Sequence, residues 1–452
     1  MTTPHQPREQ WGSRLGFMLA ALGSAVGLGN IWRFSYVAGE SGGAAFLFIY
    51  LLCIIAIGLP ILMAEFTIGR RAQSDVVGSF QSLAPGKPWI LAGFLGVASG
   101  FIILSFYGVV AGWSIYYFLQ YVMGGPPVSG EGGSADFFIN FHTSPFFPLL
   151  WQFLFMAITV GIVYAGVKKG IEKSNKILMP LLAVLVLILA GYSMTLSGAG
   201  EAFNFLFAPD WSALTDPSVY LAALSQAFFS LSLGMGALIT YGSYLSKEEK
   251  LPGAAVGVAS MDSLFAIVAG LMIFPAVFTF GIAPDSGPGL VFITLPDIFD
   301  SMGFGVAYGL IFFFLLSAAA VSSGVSLLEV AVAYFMRRMG WTRQKTAIFI
   351  GSIIFLLGIP SSLGLGVWSN VSIFGERDIF DSMDFLASYI FLPVGGLFIA
   401  LFIGWGWKKA DALEASNFGD TVIGNIWLWI LRIFAPLAIL AVFLYSTGII
   451  TL

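Results

Sequence analysis

The chain is organised around long runs of apolar residues, separated by short polar or Gly/Pro-rich connections. Phe46–Met63 and Pro180–Ala190 are two such runs, and a third at Ile311–Val321 continues into its flanks. About 18 or more apolar residues with few charges are typical of a membrane-spanning helix, and tilt accommodates longer ones. The pattern predicts eleven spanning helices, near residues 14–37, 43–69, 89–122, 147–166, 173–196, 219–245, 253–282, 304–335, 345–360, 383–406 and 425–449.

Basic residues are concentrated in every second connection between these predicted spans. Because connections rich in Lys and Arg stay on the cytoplasmic side, the alternation predicts a cytoplasmic N-terminus. An odd number of spans then places Leu452 on the extracytoplasmic side, and only Arg377 falls in an opposite connection. The basic connections contain Arg8 and Arg14; Arg70, Arg71 and Lys87; Lys168, Lys169, Lys173 and Lys176; Lys247 and Lys250; Arg337, Arg338, Arg343 and Lys345; and Lys408 and Lys409.

The composition agrees with this pattern and excludes several classes of protein. Hydrophobic residues make up 58% and charged residues 10% of the 452 residues, whereas a soluble domain has roughly 25% charged residues. A net charge of −4 without a basic cluster argues against a nucleic-acid partner. The single Cys53 and the widely separated His5 and His142 offer no disulfide, metal pair or catalytic constellation, so the sequence does not indicate an enzyme.

Two of the predicted spans are interrupted by small residues at corresponding positions. The first span carries Gly27, Gly29 and Asn30 in close succession, and the sixth carries the stretch Ser230–Gly236. A single stripe of small residues is explained by close packing between helices. Glycines this dense weaken a helix by up to ~1 kcal/mol each, and the freed carbonyls then need partners inside the membrane. Paired breaks are typical of inverted-repeat transporters, which bind ions and substrate there.

Several polar groups lie inside apolar spans, where ionisable side chains are costly and usually functional. Arg33 follows the first break directly, and Asp262 lies within the seventh span. Because a buried carboxylate needs a cation or a proton, Asp262 is a candidate ion ligand. Ser322 and Ser323 in the eighth span are weaker candidates by themselves, since hydroxyls in helices often bond the carbonyl four residues earlier.

Five stretches of the chain carry a specific pattern of residues. They are Trp11-Gly-Ser-Arg-Leu-Gly-Phe17, Gly27-Leu-Gly-Asn-Ile-Trp-Arg-Phe34, Glu40-Ser-Gly-Gly-Ala-Ala-Phe46, Pro60-Ile-Leu-Met-Ala-Glu65 and Lys169-Gly-Ile-Glu-Lys173. With them, the sequence resembles the neurotransmitter:sodium symporter family over nearly its whole length. The resemblance implies one all-α polytopic transporter domain, residues 1–452, with discontinuous helices 1 and 6. It further implies an inverted repeat of five plus five helices, at 12–196 and 219–406, followed by an eleventh helix at 425–449.

The resemblance implies a sodium-coupled symporter with two co-transported Na⁺ ions. The first site is implied to use the carbonyl of Ala25 and the side chains of Asn30, Ser230 and Asp262. The second site is implied to use the carbonyls of Gly23, Val26 and Ala319 and the hydroxyls of Ser322 and Ser323. Ligation by oxygen alone suits a hard cation.

The acidic residue at the first sodium site predicts that chloride is dispensable. Family members that need chloride coordinate it with residues matching Tyr50, Gln226 and Ser230, and members that do without it place a carboxylate nearby. Here Asp262 replaces a sodium-binding Asn, whereas Ala266 stands at the usual position of the compensating acid. We infer that Asp262 both ligates sodium and supplies the negative charge.

Gly27 bears on the class of substrate. Family members that carry monoamines have an Asp at this position, so the substrate of this chain must bring its own carboxylate. An α-amino acid fits, with its carboxylate facing the first sodium site, the Leu28 and Gly29 amides and the Tyr107 hydroxyl. The uncharged pocket favours a hydrophobic or aromatic L-amino acid, with tryptophan first and leucine-like acids as lesser substrates. The implied substrate contacts are Ser24, Ala25, Leu28, Gly29, Ile103, Tyr107, Phe229, Ser230, Ser232, Met235, Ser323 and Leu327.

The resemblance also implies a gate on each side of the membrane. On the outside, Arg33 and Asp384 match an ion pair, above a lid formed by Tyr107 and Phe229. On the inside, the matching residues are Arg8, Trp11 and Tyr241. The family's acidic partner on span eight is missing here, because Arg337 and Arg338 stand at its place, and Glu329 or Glu65 is a candidate for another inner network.

Gly170 and Pro180 enclose nine residues at the cytoplasmic start of the fifth span. Because proline removes a backbone donor and kinks a helix, unwinding of this stretch would let water reach the second sodium ion. The alternative is an ordinary boundary between a loop and a helix, with proline in the first turns. The resemblance favours unwinding.

Two functions from other classes use some of the same features. An ion channel also lines its pore with carbonyls, although paired helix breaks argue against it. A non-transporting amino-acid sensor would bind the same ligand without accumulating it. The expected surroundings are a lipid bilayer, namely the inner membrane of a bacterium, and no obligate protein partner is evident.

Overall fold

A computed structural model describes residues 9–126, 133–208, 211–284, 287–446 and 449, and within them the regular structure is helical apart from one isolated bridge between Phe374 and Arg377. The first half contains α1 (Arg14–Ala25), α2 (Phe34–Glu40), α3 (Ala44–Cys53), α4 (Leu59–Ala72), α5 (Val76–Leu83), α6 (Ile90–Val122), α7 (Gly133–His142), α8 (Phe147–Tyr164), α9 (Lys173–Ser193) and α10 (Ala199–Phe207). The second half contains α11 (Pro217–Ser230), α12 (Ala237–Gly242), α13 (Leu251–Thr279), α14 (Thr294–Ser301), α15 (Gly305–Met339), α16 (Arg343–Gly364), α17 (Ile379–Phe385), α18 (Leu392–Leu401), α19 (Lys409–Ala415), α20 (Val422–Trp429) and α21 (Ala435–Ser446).

Short π-helical segments extend or join several of these helices. They insert an extra residue into the helical turn without ending the helix. The π-helical segments are Gly29–Arg33, Ile54–Gly58, Val167–Glu172, Leu386–Phe391, Phe402–Gly406 and Ile430–Phe434, and two 3₁₀ turns lie at Trp211–Thr215 and Gly287–Leu290.

Nine helical rods in the described residues are long and apolar enough to cross a membrane, and a tenth is formed by a pair bent by 49°, Arg14–Ala25 and Gly29–Glu40. These ten coincide with ten of the predicted spans. The sixth predicted span, 219–245, falls on α11 and α12 on either side of a break, so the count of eleven stays a prediction. The nine rods are Ala44–Ala72, Ile90–Val122, Phe147–Tyr164, Val167–Ser193, Leu251–Thr279, Gly305–Met339, Arg343–Gly364, Ile379–Gly406 and Val422–Ser446.

The ends of the rods differ from the predicted ends by a few residues. The rod that corresponds to the fifth predicted span begins at Val167 instead of residue 173, because the residues after Gly166 already form a π-helical turn. The connections also contain the short helices α5, α7, α10, α14 and α19, which are too short for the pattern of apolar runs to predict.

The periphery of the molecule is apolar, as a lipid environment requires. Leu150 and Phe153 on α8 and Leu187 and Ile188 on α9 are exposed. Exposing these side chains to lipid carries no free-energy penalty, whereas a soluble protein rarely exposes large contiguous apolar patches to water. The chain is therefore a multi-pass helical membrane protein.

The first helix break lies in the buried centre, where α9 and α15 pack against α1. Ser13 begins α1 by accepting a hydrogen bond from the Gly16 amide at 3.0 Å. The helix ends at Ala25, and Val26 has an extended backbone with ψ 106°. Helical structure resumes at Gly29, so the predicted discontinuity of the first span is confirmed.

The second break separates α11 from α12 and confirms the discontinuity predicted for the sixth span. Ser232, Gly234 and Gly236 have φ of 55°, 80° and 76°. This left-handed region is open to glycine and strained for serine, and such strain gathers at functional sites. Glu65 on α4 accepts a hydrogen bond from the Gly234 amide at 2.7 Å. Glu65 therefore supports the break, whereas the sequence suggested it for an inner ion network.

Candidate functional site

A small cavity lies between the two helix breaks and is lined by residues of both. The wall combines exposed backbone with apolar side chains and a few hydroxyls, and it carries no charged side chain. Its lining residues are Ser24, Ala25, Gly27, Gly29, Ile103, Tyr107, Phe229, Ser232, Met235, Ser323 and Leu327.

The cavity brings together ten of the twelve residues that the sequence predicts as substrate contacts. The other two lie just behind its wall: the Leu28 amide donates to the Tyr107 hydroxyl at 3.3 Å, and Ser230 follows Phe229 at the end of α11. Gly27 also lines the cavity, whereas the sequence pointed to this position only through the absence of an acidic side chain.

A polar cluster lies next to the cavity, formed by Asn30, Ser230 and Asp262. All three residues are fully buried. Asn30 Nδ2 donates to Asp262 Oδ1 at 2.7 Å and to Ser230 Oγ at 3.0 Å, and Ser230 Oγ donates to Asp262 Oδ2 at 2.6 Å. The Tyr50 hydroxyl donates to Ser230 Oγ at 3.2 Å. We call this group the carboxylate cluster; among the described residues its acid has no cationic partner.

A second polar cluster joins the C-terminal end of α1 to α15. Ser322 Oγ donates to the Gly23 carbonyl at 2.8 Å. Ser323 Oγ lies 3.2 Å from the same carbonyl and 3.3 Å from that of Val26. These are four of the five residues predicted for the second sodium site, and Ala319 lies on α15 one helical turn before them. We call this group the hydroxyl cluster; it contains no formal charge.

On the predicted outer side, Arg33 is buried and bonded to neutral groups. Its guanidinium donates to Gln226 Oε1 at 3.2 Å and to Ser225 Oγ at 3.3 Å, and it lies 4.9 Å from the Phe229 ring centre. Asp384 Oδ1 instead accepts a hydrogen bond from Ser388 at 2.9 Å. The ion pair expected between Arg33 and Asp384 is therefore not formed in this structure, and the guanidinium is bonded to acceptors on α11.

On the predicted inner side, the N-terminal segment makes two groups of contacts with the helices. Trp11 Nε1 donates to the Tyr241 carbonyl at 2.9 Å, and the two rings meet edge to face with centres 5.2 Å apart. The structure thus brings together two of the three predicted inner residues; Arg8 lies outside the described residues.

A buried ion network lies beside this aromatic contact. Arg343 at the start of α16 pairs with Glu329 at 2.6 Å and with Glu9 at 2.5 Å. The Tyr244 hydroxyl donates to Glu329. Arg337 pairs with Asp75 outside this network, at 3.2 Å. The sequence marks Glu329 as a candidate for such a network, whereas it marks Arg343 only as a basic residue of a predicted cytoplasmic connection.

The stretch between Gly170 and Pro180 is helical in this structure. Gly170 lies in the π-helical turn Val167–Glu172, and Pro180 lies well inside α9. A helical segment begins just before Gly170, and Pro180 stands beyond the first turn of α9. Both the simple boundary and the unwinding of this stretch stay predictions.

The two interrupted helices enclose a buried cavity in a multi-pass membrane protein, which is the architecture of a secondary transporter. A family model described as "Sodium:neurotransmitter symporter family" matches residues 8–126 and 146–451. The chain belongs to the sodium:neurotransmitter symporter family. It is a sodium-dependent transporter and not an enzyme.

Individual relatives agree with this assignment. The chain is 40% identical over 446 residues to the sodium-dependent transporter YhdH of Bacillus subtilis (98% of each chain). It is 36% identical over 455 residues to a sodium-dependent transporter of Haemophilus influenzae, covering 98% of this chain and 99% of the relative. It is similar to the crystal structure of MhsT in complex with L-phenylalanine, with 64% identity, a TM-score of 0.93, and coverage of 97% of this chain and 100% of the other.

Proposed function

We propose that this chain is a symporter that takes up hydrophobic L-amino acids, tryptophan foremost, by alternating access with two Na⁺ ions and no chloride requirement. The observation that carries the proposal is the carboxylate cluster: a fully buried acid bonded only to neutral groups, beside an uncharged cavity. An unpaired charge in such a place is strongly penalised, and a bound cation removes the penalty.

The carboxylate cluster is the proposed first sodium site, completed by the Ala25 carbonyl. At present Asn30 turns its amide nitrogen toward Asp262, while its Oδ1 accepts from the Gly27 amide at 3.1 Å. Binding a cation therefore requires this amide to rotate, which frees the Gly27 amide. The carboxylate lies near Tyr50 and Ser230, where family members that need chloride hold the anion, and this arrangement supports transport without chloride.

The hydroxyl cluster is the proposed second sodium site. Its carbonyls belong to the last turn of α1, where backbone oxygens lack helical partners. Its hydroxyls come from α15, and Ala319 adds a carbonyl on the same helix. Oxygen ligands without formal charge fit a monovalent hard cation.

The cavity supports an amino acid with an apolar side chain. The Tyr107 hydroxyl lies at the wall with the Leu28 amide just behind it, and together they suit a carboxylate. Ile103, Met235 and Leu327 supply an apolar surface, and methionine adapts to side chains of different shape. The bound L-phenylalanine in MhsT, at 64% identity, supports an aromatic substrate.

Several further properties belong to this proposal. Residues 12–196 and 219–406 form the two inverted repeats, and the helix at 425–449 is additional. The N-terminus is cytoplasmic and the C-terminus extracytoplasmic in a bacterial inner membrane. Arg33 and Asp384 approach each other when the outer side closes over Tyr107 and Phe229, and the contact between Trp11 and Tyr241 opens on the other side.

The energetics allow uphill uptake. Moving one charge through 100 mV provides about 2.3 kcal/mol. Two sodium ions moving with a zwitterion therefore provide about 4.6 kcal/mol from voltage alone, which sustains a concentration ratio of roughly 10³.

Uptake of labelled L-tryptophan into proteoliposomes tests the proposal. We expect accumulation with an inward sodium gradient, loss of accumulation when potassium replaces sodium, and unchanged accumulation when gluconate replaces chloride. Sodium-dependent binding without accumulation would indicate a sensor, and currents uncoupled from amino acids would indicate a channel. Absence of sodium-dependent uptake of both tryptophan and leucine would overturn the substrate class.

A further inference from the structure

The side chain of Asn175 lies between the hydroxyl cluster and the fifth span. Asn175 is on α9 and is 1% exposed. Its Oδ1 accepts a hydrogen bond from Ser322 Oγ at 2.6 Å, and its Nδ2 donates to the Ile171 carbonyl at 2.9 Å. We propose that Asn175 is a positioning residue for the second sodium ion and that it couples that ion to the helical state of residues 170–180. The inference rests on the proposed second sodium site.

The hydroxyl of Ser322 has two acceptors and only one proton. The Gly23 carbonyl lies at 2.8 Å and Asn175 Oδ1 at 2.6 Å. A cation bound between Ser322 Oγ and the Gly23 carbonyl requires an oxygen lone pair to face it, so the proton must point away. Asn175 Oδ1 then receives this proton and holds the hydroxyl in the ligating orientation. Partners of this kind behind a ligand typically contribute 10- to 100-fold to metal affinity.

The other end of the Asn175 amide reaches the turn that is predicted to unwind. Ile171 lies in the π-helical segment Val167–Glu172. Glu172 in the same segment accepts hydrogen bonds from the Gly12 amide at 2.5 Å and the Ser13 hydroxyl at 3.0 Å. A chain of hydrogen bonds therefore runs from the hydroxyl cluster through Asn175 to the turn that holds the start of α1.

Because of this chain of contacts, the affinity for sodium differs between the helical and the unwound state of residues 170–180. A sodium ion that orients the Ser322 hydroxyl toward Asn175 favours the helical state, in which the Asn175 amide is hydrogen-bonded at both ends. Unwinding removes the Ile171 carbonyl from Asn175 and the acceptor from Ser322. A ligand shifts a conformational equilibrium only through such a difference in affinity.

Gly23 keeps the three elements in contact. A Cβ atom at Gly23 would overlap both Asn175 Oδ1 and Ser322 Oγ. A glycine is therefore required here for α1 to approach α9 and α15 closely, independently of any flexibility. The small residue at the break and the amide on α9 belong to one packing arrangement.

The experiment uses the full chain in lipid nanodiscs, with two readouts. The first is amide hydrogen exchange of residues 170–180 in choline gluconate and in sodium gluconate, without amino acid. The second is the sodium concentration for half-maximal binding of labelled L-tryptophan. In the unmodified chain, sodium is expected to slow the exchange of this stretch. In Asn175→Ala, that sodium-dependent difference is expected to disappear, and the half-maximal sodium concentration to rise about 10-fold.

Ser174→Ala is the matched control. The Ser174 hydroxyl also donates to the Ile171 carbonyl, at 3.0 Å, but no bond joins it to Ser322. We expect this variant to keep the sodium-dependent protection and the sodium affinity. An equal effect of Ser174→Ala and Asn175→Ala would show that only local helix stability is involved and would overturn the inference.

Two further variants keep the inference testable if Asn175→Ala folds poorly. Asn175→Asp keeps an acceptor for Ser322 and loses the donor to Ile171; we expect its half-maximal sodium concentration to stay within about 3-fold of the original, and a 10-fold rise overturns the inference. In a Ser322→Ala background, Asn175→Ala should add no further loss, and full additivity overturns it. A chain that binds tryptophan without any response to sodium contradicts the proposed function itself, whereas a sodium response that survives in Asn175→Ala contradicts only this inference.

Discussion

The two polar clusters beside the cavity are built from different chemistry. The carboxylate cluster surrounds a formal charge, Asp262, with an amide and a hydroxyl. The hydroxyl cluster has only carbonyl and hydroxyl dipoles, held between α1 and α15. Because attraction between full charges in a low-dielectric interior exceeds attraction to a dipole, the first cluster should hold a cation more firmly.

This difference suggests a division of labour between the clusters. A buried acid is unstable without a cation, so the carboxylate cluster favours a loaded state and stays close to the substrate cavity. A neutral cluster tolerates the loss of its ion, and through Asn175 it contacts the stretch that is proposed to unwind. Release to the cytoplasm should therefore begin at the hydroxyl cluster.

The largest expected effect follows from removing the charge. Asp262→Asn takes away the carboxylate while leaving the shape of the side chain. We expect the apparent sodium affinity in gluconate to fall by more than about 100-fold, because losing one partner of a buried ionic interaction costs roughly 3–5 kcal/mol. Binding of labelled L-tryptophan against sodium concentration measures this loss.

Chloride should partly repair Asp262→Asn, because an anion near Tyr50 and Ser230 restores the missing charge. Asp297→Asn is the matched control, since Asp297 is an exposed acid that accepts a hydrogen bond from the Ser134 amide at 3.0 Å. Normal sodium affinity of Asp262→Asn in gluconate would contradict the assignment of the first site.

A smaller effect is expected at the hydroxyl cluster. Ser322→Ala removes one neutral ligand of the proposed sodium site. If its contribution equals that of one hydrogen bond, about 1 kcal/mol of binding free energy is lost, and sodium affinity falls roughly 5- to 10-fold. Chloride should not change this result, because no charge is lost. Ser317→Ala on the same helix serves as the control; its hydroxyl bonds the Phe313 carbonyl at 2.7 Å, away from the cluster. A chloride-sensitive loss would remove the distinction between the clusters.

The smallest effect on sodium affinity is expected from a change at Met235, a residue of the cavity wall that belongs to neither cluster. Met235→Ala should weaken L-tryptophan binding about 10-fold, since removing contact with even one methylene in an apolar pocket changes selectivity by 10-fold or more. The sodium concentration for half-maximal binding, measured at saturating tryptophan, should change by less than about 2-fold. Met235→Leu, which keeps the volume, should retain tryptophan binding; a large sodium effect of either variant would argue against separate roles.

Much of the fold was accessible from local sequence. The apolar runs predict ten of the observed rods, and the glycines around Gly27 and Gly234 predict both interruptions. These features follow from local chemistry: hydrocarbon thickness sets the length of the runs, and glycine permits backbone that other residues resist. The short helices α5 and α14 escaped prediction, because brief amphipathic turns resemble ordinary connections.

The candidate site was only partly accessible in this way. The residues of the cavity wall came from resemblance, and the structure brings ten of them to one place. The contacts of polar side chains were different: Arg33 bonds Gln226 instead of Asp384, and Glu65 bonds Gly234 instead of joining an ion network. Which of several nearby acceptors a side chain selects depends on distances of less than an ångström between helices far apart in sequence.

By itself, the sequence determined a helical membrane protein with two broken spans, because burial in hydrocarbon and the density of glycine act locally along the chain. It also marked Asp262 as an acid in need of a partner. The tertiary structure decided that Arg343 joins Glu9 to Glu329 and that Asn175 contacts Ser322. All of these contacts except the one between Arg343 and Glu329 join residues more than 140 positions apart in the sequence. Only the packing of the N-terminal segment, α9, α15 and α16 brings their atoms within hydrogen-bond distance.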